Sequence, residues 1–281
     1  MSVDIICPLY NAEKYIEKLH QSLLMQKDVK INKIIYAITV TDNDKTLDYL
    51  KKNNCDYVLV KKEEFSHSLT RSNLGLKSNA DIISFVTQDV VIDDCYWLKK
   101  LINPIINNEA AATYSRQITK YNNIEKYTRE SNYDDKSYIK SKEDIPTFKI
   151  STFFFSDAAC AIKTSIYKKL NAYDDKNLPT NEDMYFAYKL IMNDYKIKYC
   201  SDSVVYHSHN FTLKQLYNRY KLTGKFFKEN KYLCKYKTNH TGFNLAKYVL
   251  KRIIQEKRIG LLFRFPFDMA ARYLGMKVGM R

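Results

Sequence analysis

Short apolar runs alternate with stretches of helical periodicity along most of the chain. Val3-Asp4-Ile5-Ile6-Cys7-Pro8 is an apolar run stopped by proline, and it reads as a buried strand. Asn11 follows as a helix cap, with Ile16, Leu19, Leu23 and Leu24 at helical spacing. Lys33 to Val40 is a second β-rich run, ended by the turn residues Asp42-Asn43-Asp44, and Thr46 to Leu50 starts a helix. Tyr57 to Val60 is a third strand, followed by a helical stretch through Leu69, Leu74 and Leu76. Ile82 to Val86 is a fourth strand, ending at Thr87-Gln88-Asp89. Strand and helix in this alternation predict an α/β fold with a mostly parallel central sheet and helices on both faces.

Beyond Asn122 the pattern weakens. Residues 122 to 149 are polar, tyrosine-rich and weakly periodic, which predicts a long loop or inserted subdomain. Thr152 to Ile162 is apolar again, and a helix is expected from about Thr164 to Leu170. Glu182 to Asn193 places Met184, Ala187, Tyr188 and Ile191 on one helical face. Ile197 to Tyr199 and Val204 to Tyr206 read as two short strands, the second leading into His207-Ser208-His209. After Thr212 the chain turns helical and basic. No apolar run is long enough to span a bilayer. The N-terminus lacks an apolar signal core, so a cytosolic location is expected.

The 281 residues are 45% apolar and 27% charged, which excludes a disordered, collagenous or purely coiled-coil chain. The charge is unevenly placed. Residues 210–281 hold 17 Lys/Arg against 3 Asp/Glu and carry +14 of the net +15. A division follows: residues 1–209 as a charge-balanced domain, residues 210–281 as a basic helical extension. The extension alternates apolar residues such as Leu245, Val249 and Phe263 with Lys/Arg, and two readings fit it. It packs as a solvated amphipathic helix, or it lies on an anionic membrane surface. A basic, tyrosine-rich chain also raises nucleic-acid binding as an alternative. Against it, the charge is confined to one end and no RNA- or DNA-binding motif is present. The six cysteines are scattered without a CxxC pair, which argues against a zinc ribbon or disulfide frame.

In parallel α/β sheets, ligands bind beyond the carboxyl ends of the strands. Pro8 to Asn11, Asp42 to Asp44, Thr87 to Asp89 and His207 to His209 all follow predicted strands. Asp89 suits a hard divalent cation bridging phosphate oxygens, although aspartate at a strand end is more often a turn former. Glu182-Asp183 opens a helix, where acids favour the dipole or can serve as a general base. His207-x-His209 is a weak metal signal alone. Arg71 and Arg116 can clamp phosphates, though most arginines are solvated or salt-bridged.

The order of these pieces is more specific than any one of them. IICPLYNAEKYIEKLHQSL, EEFSHSLTRSN, ISFVTQDVVIDDCYWLKKL, YSRQ with EKYTRESNY, FFFSDAACAIK, NEDMYFAYKLIMNDYKIKY and VVYHSHNFTLKQLYNRYKLTG follow one another between residues 3 and 228. Together they resemble the family-two inverting glycosyltransferases of the GT-A fold, which is Rossmann-like, and most closely the rhamnosyltransferase branch of bacterial surface-polysaccharide synthesis.

That resemblance implies a set of roles. Asp183 would be the catalytic base. Asp89 and His207 would hold Mg²⁺ or Mn²⁺ against the donor diphosphate. Pro8, Asn11, Asp42, Arg71, Gln88 and Asp89 would surround the nucleotide-sugar, with either Asp42 or Asp44 facing the base. Glu182, Arg116 and His209 would meet the acceptor or the diphosphate. The family's usual first acid of the D-x-D is Thr87 here, which suits a deoxyribose donor, dTDP-rhamnose; a UDP-hexose is the alternative. The implied acceptor is a glycan, on a polyprenyl-diphosphate lipid or a growing chain, reached by a peripheral enzyme at the inner membrane face.

Overall fold

The computed structural model describes residues 1–236 and 241–281. They fall into two units. The first comprises residues 1–116, 135–142 and 153–207, and the second residues 117–134, 143–152 and 208–281. In chain order the elements are β1 (Ser2–Tyr10), α1 (Glu13–Leu24), β2 (Lys30–Thr39), α2 (Thr46–Lys52), β3 (Asp56–Leu59), α3 (His67–Gly75), β4 (Ile82–Val86), α4 (Trp97–Ile106), β5 (Ala112–Ile118) and α5 (Ile124–Asn132). They continue as β6 (Tyr138–Lys140), α6 (Ile145–Phe148), β7 (Ala159–Lys163), α7 (Thr164–Lys169), α8 (Glu182–Met192), β8 (Ile197–Tyr206), α9 (Leu213–Glu229), α10 (Thr241–Gln255) and α11 (Ile259–Met280).

The strands of the first unit make one sheet in the order β3-β2-β1-β4-β7-β5-β8-β6. β1 pairs in parallel with β2 and β4, and β2 with β3. β7 then enters antiparallel to β4 and β5, and β6 is antiparallel to β8. The first four strands of that order are therefore all parallel, and β7 is the strand that reverses next to them. This reversal brings the residues ahead of β7 to the carboxyl end of β4, where the Thr87 amide donates to the Ala158 carbonyl at 3.0 Å.

Both sheet faces are covered, so the central strands are apolar on both sides. On β4, Ile82 and Val86 join a core with Ile16, Leu19 and Leu23 of α1 and Trp97, Leu98 and Leu101 of α4. Phe85 faces the other way, against Tyr167 of α7 at 5.7 Å between ring centres. Each such buried side chain stabilises the fold by about 1.5–3 kcal/mol relative to exposure.

Several local expectations change. β1 runs through Pro8 to Tyr10. Its pairing with β4 ends at Ile6, so Pro8 lies where β1 is paired with β2 alone and a missing N–H is tolerated. Asn11 does not cap α1; Ala12 takes that position, and Asn11 is left-handed at φ 48°. The stretch from 122 to 149 contains α5, β6 and α6 rather than a continuous loop. β8 is one strand of ten residues. Its polar middle hid it: buried Ser203 bonds to the Trp97 carbonyl and Ser115, and the Ser201 amide to Ser137. In α8 the buried face is Tyr185, Phe186, Ala187, Leu190 and Ile191, not one centred on Met184 and Tyr188.

In the second unit, α9 begins with a reciprocal cap. The Thr212 hydroxyl accepts from the Gln215 amide, and the Gln215 side chain accepts from the Thr212 amide. Ile124 and Tyr127 of α5 pack with Val249 and Ile253 of α10. α9 and α11 meet at backbone distance, through glycines. A Cβ on Gly279 would lie 2.0 Å from the Lys221 carbonyl oxygen, and one on Gly275 2.4 Å from that of Tyr217. Gly279→Val is therefore expected to destabilise by about 1–3 kcal/mol or more, read as a lower denaturation midpoint. Gly260→Ala, with open space around it, should be neutral or stabilising by up to about 1 kcal/mol. Equal midpoints for the two variants would contradict the close helix crossing.

Candidate active site

The carboxyl ends of β1 and β2 frame an open cleft of about 830 Å³, lined by Tyr10, Asn11, Glu13, Lys14 and residues 41–44. Its walls are pinned by side chains. Gln88 accepts from the Tyr10 amide at 2.7 Å and donates to the Tyr10 carbonyl at 2.9 Å, so it extends the ladder between β1 and the end of β4. Asn11 accepts from the Thr41 hydroxyl at 2.5 Å. Asp44 accepts from the Thr46 hydroxyl at 2.7 Å and from the Glu13 and Thr46 amides at 3.3 Å, which commits it to the loop. Asp42 is the exposed acid on this wall. Pro8 sits half-buried within β1.

Beside this cleft, β4 ends and the chain turns, with the Val90 amide donating to the Thr87 carbonyl. Val91 then bridges to Tyr206, the last residue of β8. That bridge sets Asp89 and His207 side by side: His207 Nε2 lies 3.5 Å from Asp89 Oδ1, and His207 is 9% exposed. Their ligand atoms are close enough to share one ion. A carboxylate oxygen and an imidazole nitrogen suit Mn²⁺ well, and Mg²⁺ through the carboxylate. His209 belongs to the second unit, where its carbonyl accepts from Asn123 at 3.2 Å.

A second charged cluster lies in the first unit. Arg71 on α3 is 2% exposed and pairs with Glu182 at 3.2 Å, while also donating to the His67 carbonyl at 2.9 Å. Arg71 is thus a buried partner of Glu182 rather than a surface clamp, and its Nε makes no hydrogen bond among the described residues. The turn into α8 is made by Asn181 at φ 59°, and Glu182 and Asp183 follow in the first helical turn. Asp183 accepts from the Met184 amide at 2.7 Å. Asp157, just ahead of β7, completes the group: it is 2% exposed and accepts from Tyr173 at 2.6 Å.

These carboxylates act on one another. Burial, then the charges of Glu182 and Asp157, push the Asp183 carboxyl well above the ordinary range. Burial also pushes Asp157 up to about 6, against the pull of Arg71. At Arg71 burial works against the charge, but Glu182 and Asp157 outweigh it and hold the guanidinium above its usual value. Asp183 thus holds a proton more readily than an ordinary carboxylate does. Burial raises the Cys7 thiol as well, and the opposing charges of Arg71 and Asp89 are both felt there. Arg116, in β5, is the last residue of the first of the three segments that make up the first unit, with an Nε that makes no hydrogen bond among the described residues.

Asp157 escaped the sequence reading. Its signal was a lone acid within the apolar run FFFSDAACAI, since a charge inside a buried run is informative.

The pattern of the family described as Glycosyl transferase family 2 matches residues 4–170. The chain is 28% identical over 285 residues to the O-antigen chain rhamnosyltransferase RfbN of Salmonella typhimurium, covering 99% of this chain and 90% of that protein. Among solved structures it is similar to S. aureus TarS 1-349, with a TM-score of 0.57 at 17% identity, covering 99% and 90% of the two chains. It is also similar to the mannosyltransferase PcManGT from Pyrobaculum calidifontis in complex with GDP-Man and Mn²⁺, with a TM-score of 0.61 at 12% identity, covering 99% and 84%. The structural likenesses show the GT-A fold.

Proposed function

The chain belongs to glycosyl transferase family 2, and on that premise we propose that it moves L-rhamnose from dTDP-rhamnose to a hydroxyl of a bacterial surface polysaccharide. One observation supports the chemistry most: Asp183, with its raised proton affinity, occupies the same unit as the Asp89–His207 pair. The acceptor hydroxyl oxygen bonds to the anomeric carbon as the bond to the diphosphate breaks. Asp183 takes the hydroxyl proton from the opposite side, so a single displacement inverts the centre. Asp89 and His207 would hold a divalent cation, which would supply positive charge to stabilise the departing diphosphate. Asp42 and Asn11 line the nucleoside cleft, with Gln88 fixing its wall. Arg71, held by Glu182, keeps the carboxylate cluster together.

Residues 1–209 are proposed as the catalytic domain and residues 210–281 as a basic extension. A polyprenyl-diphosphate-linked acceptor at the inner membrane face fits that charge, and no helix among the described residues is long and apolar enough to cross a membrane. The rhamnose assignment rests on similarity to RfbN and on Thr87 at the position where an acid would meet a ribose. The Thr87 hydroxyl is buried and makes no hydrogen bond among the described residues. Calorimetry with Mn²⁺ should therefore show tighter binding of dTDP-rhamnose than of UDP-glucose or UDP-GlcNAc. Clearly tighter binding of a UDP-sugar would remove the rhamnose assignment and keep the reaction class.

A further inference from the structure

We infer that the outward side of α10 and α11 is a surface that lies in the headgroup region of an anionic bilayer, with Phe263 and Phe267 as its inserting side chains. The inference rests on the membrane part of the proposed function and gives it a specific face. The observations concern the second unit alone.

The first observation is what α11 leaves uncovered. Ile259, Phe263 and Phe267 recur at four-residue spacing and are 68%, 74% and 62% exposed, and Leu274 and Val278 continue the same side. On α10, Phe243 and Ile254 are exposed at 68% and 58%. Large side chains at this exposure, contiguous along a helix, mark a surface that meets something apolar.

The second observation is how the charges are sorted. Residues 241–281 contain two acids, and both turn inward. Glu256 pairs with Lys126 at 2.8 Å and Arg252 at 2.8 Å, and accepts from the Tyr127 hydroxyl at 2.9 Å. Asp268, 4% exposed, pairs with Arg272 at 2.7 Å. Four of the nine basic residues meet an internal partner: Arg252 and Arg272 in these pairs, Arg258 on Glu256 at 4.0 Å, and Arg264 on the Phe211 carbonyl. The other five, Lys247, Lys251, Lys257, Lys277 and Arg281, are exposed, and so is Arg258. The exposed side chains of α10 and α11 are thus apolar and cationic, with no acidic side chain among them in the described residues.

This combination selects the occupant. A second copy presenting the same face would set cations against cations. A nucleic acid would reward the lysines and leave the phenylalanines in water. An anionic bilayer meets both, taking the rings below the headgroups and the ammonium groups beside the phosphates. No helix among the described residues is long and apolar enough to cross a membrane, and the segment lies along the surface.

The test uses the full chain and vesicle flotation, without any nucleotide-sugar. Vesicles of phosphatidylglycerol and phosphatidylethanolamine are compared with pure phosphatidylcholine, at low and high salt. Wild type should bind the anionic vesicles, and salt should weaken that binding. Phe263→Ser with Phe267→Ser should lower vesicle affinity roughly tenfold or more with the salt dependence retained. Lys247→Gln with Lys251→Gln and Lys277→Gln should flatten the salt dependence. Unchanged binding by the phenylalanine variant would overturn the inference, as would absence of wild-type binding. So would a wild-type dimer in sedimentation that the phenylalanine change converts to monomer without any vesicle effect. Nucleoside diphosphate release in vesicle-free solution is measured on the same variants. It should be unchanged, so a failure of the membrane face and a failure of the glycosyl-transfer reading give different results.

Discussion

Asp183→Asn is expected to lower turnover by on the order of 10²–10⁴-fold while donor affinity stays near the wild-type value. Asparagine keeps the shape and can still accept from the Met184 amide through its carbonyl oxygen. It cannot take a proton from the acceptor hydroxyl. The loss should appear in kcat, because the proton moves only in the transition state. The same reasoning sets the pH dependence. A base works deprotonated, and Asp183 is pushed well above the ordinary carboxylate range by burial and by the charges of Glu182 and Asp157. Activity should therefore fall as pH drops through a value above that range. Asp157→Asn removes one neighbouring negative charge, so it should move this acid limb to lower pH. Wild-type turnover in Asp183→Asn, or an acid limb unmoved by Asp157→Asn, would falsify the assignment of the base.

The second large effect is expected at Asp89. Asp89→Ala removes the carboxylate from the pair with His207 and leaves the imidazole 9% exposed without its anionic neighbour. Nucleoside diphosphate release should drop by on the order of 10²–10³-fold, the size typical for losing one transition-state charge stabiliser. Chelation of divalent cations should do the same to wild type, and added Mn²⁺ or Mg²⁺ should restore wild type but not the variant. His207→Ala should weaken Mn²⁺ binding by calorimetry. Full activity of wild type after chelation would separate Asp89 from any metal role.

The parts of the fold readable from sequence were those where one local pattern decides the outcome. The buried runs of β1 and β4 are apolar on both faces, so their strands stood out. Pro8 misled, because whether a proline ends a strand depends on which neighbours still need its N–H, and the pairing of β1 with β4 had already stopped at Ile6. β8 was split because Ser201 and Ser203 look like a turn until Ser137, Ser115 and the Trp97 carbonyl are present to bond them. The α9–α11 contact depends on Gly275 and Gly279 meeting Tyr217 and Lys221 across more than fifty residues of chain, which no window of sequence contains.

The site divides in the same way. Acids at strand and helix ends can be picked out by type and position, which is why Asp89 and Asp183 were candidates. What each one faces is set by tertiary packing. Arg71 and Glu182 are 111 residues apart, and only the fold turns a candidate phosphate clamp into a buried ion pair. Asp44 is held in the loop by the Thr46 hydroxyl and the Glu13 amide, and the second of these contacts reaches across 31 residues of chain. Asp157 draws its importance from the antiparallel entry of β7, a topological feature that periodicity does not carry.

Product formation from dTDP-rhamnose and a glycan acceptor reads the roles of Asp183 and Asp89 together. It is followed by nuclear magnetic resonance of the anomeric proton alongside dTDP release, for wild type, Asp183→Asn and Asp89→Ala. Wild type should show metal-dependent release and one glycoside formed per dTDP, with the anomeric configuration opposite to that of the donor, and both signals should be lost in the two variants. A product that keeps the donor's configuration, or one formed at the wild-type rate by Asp183→Asn, would contradict an inverting transfer with Asp183 as its base.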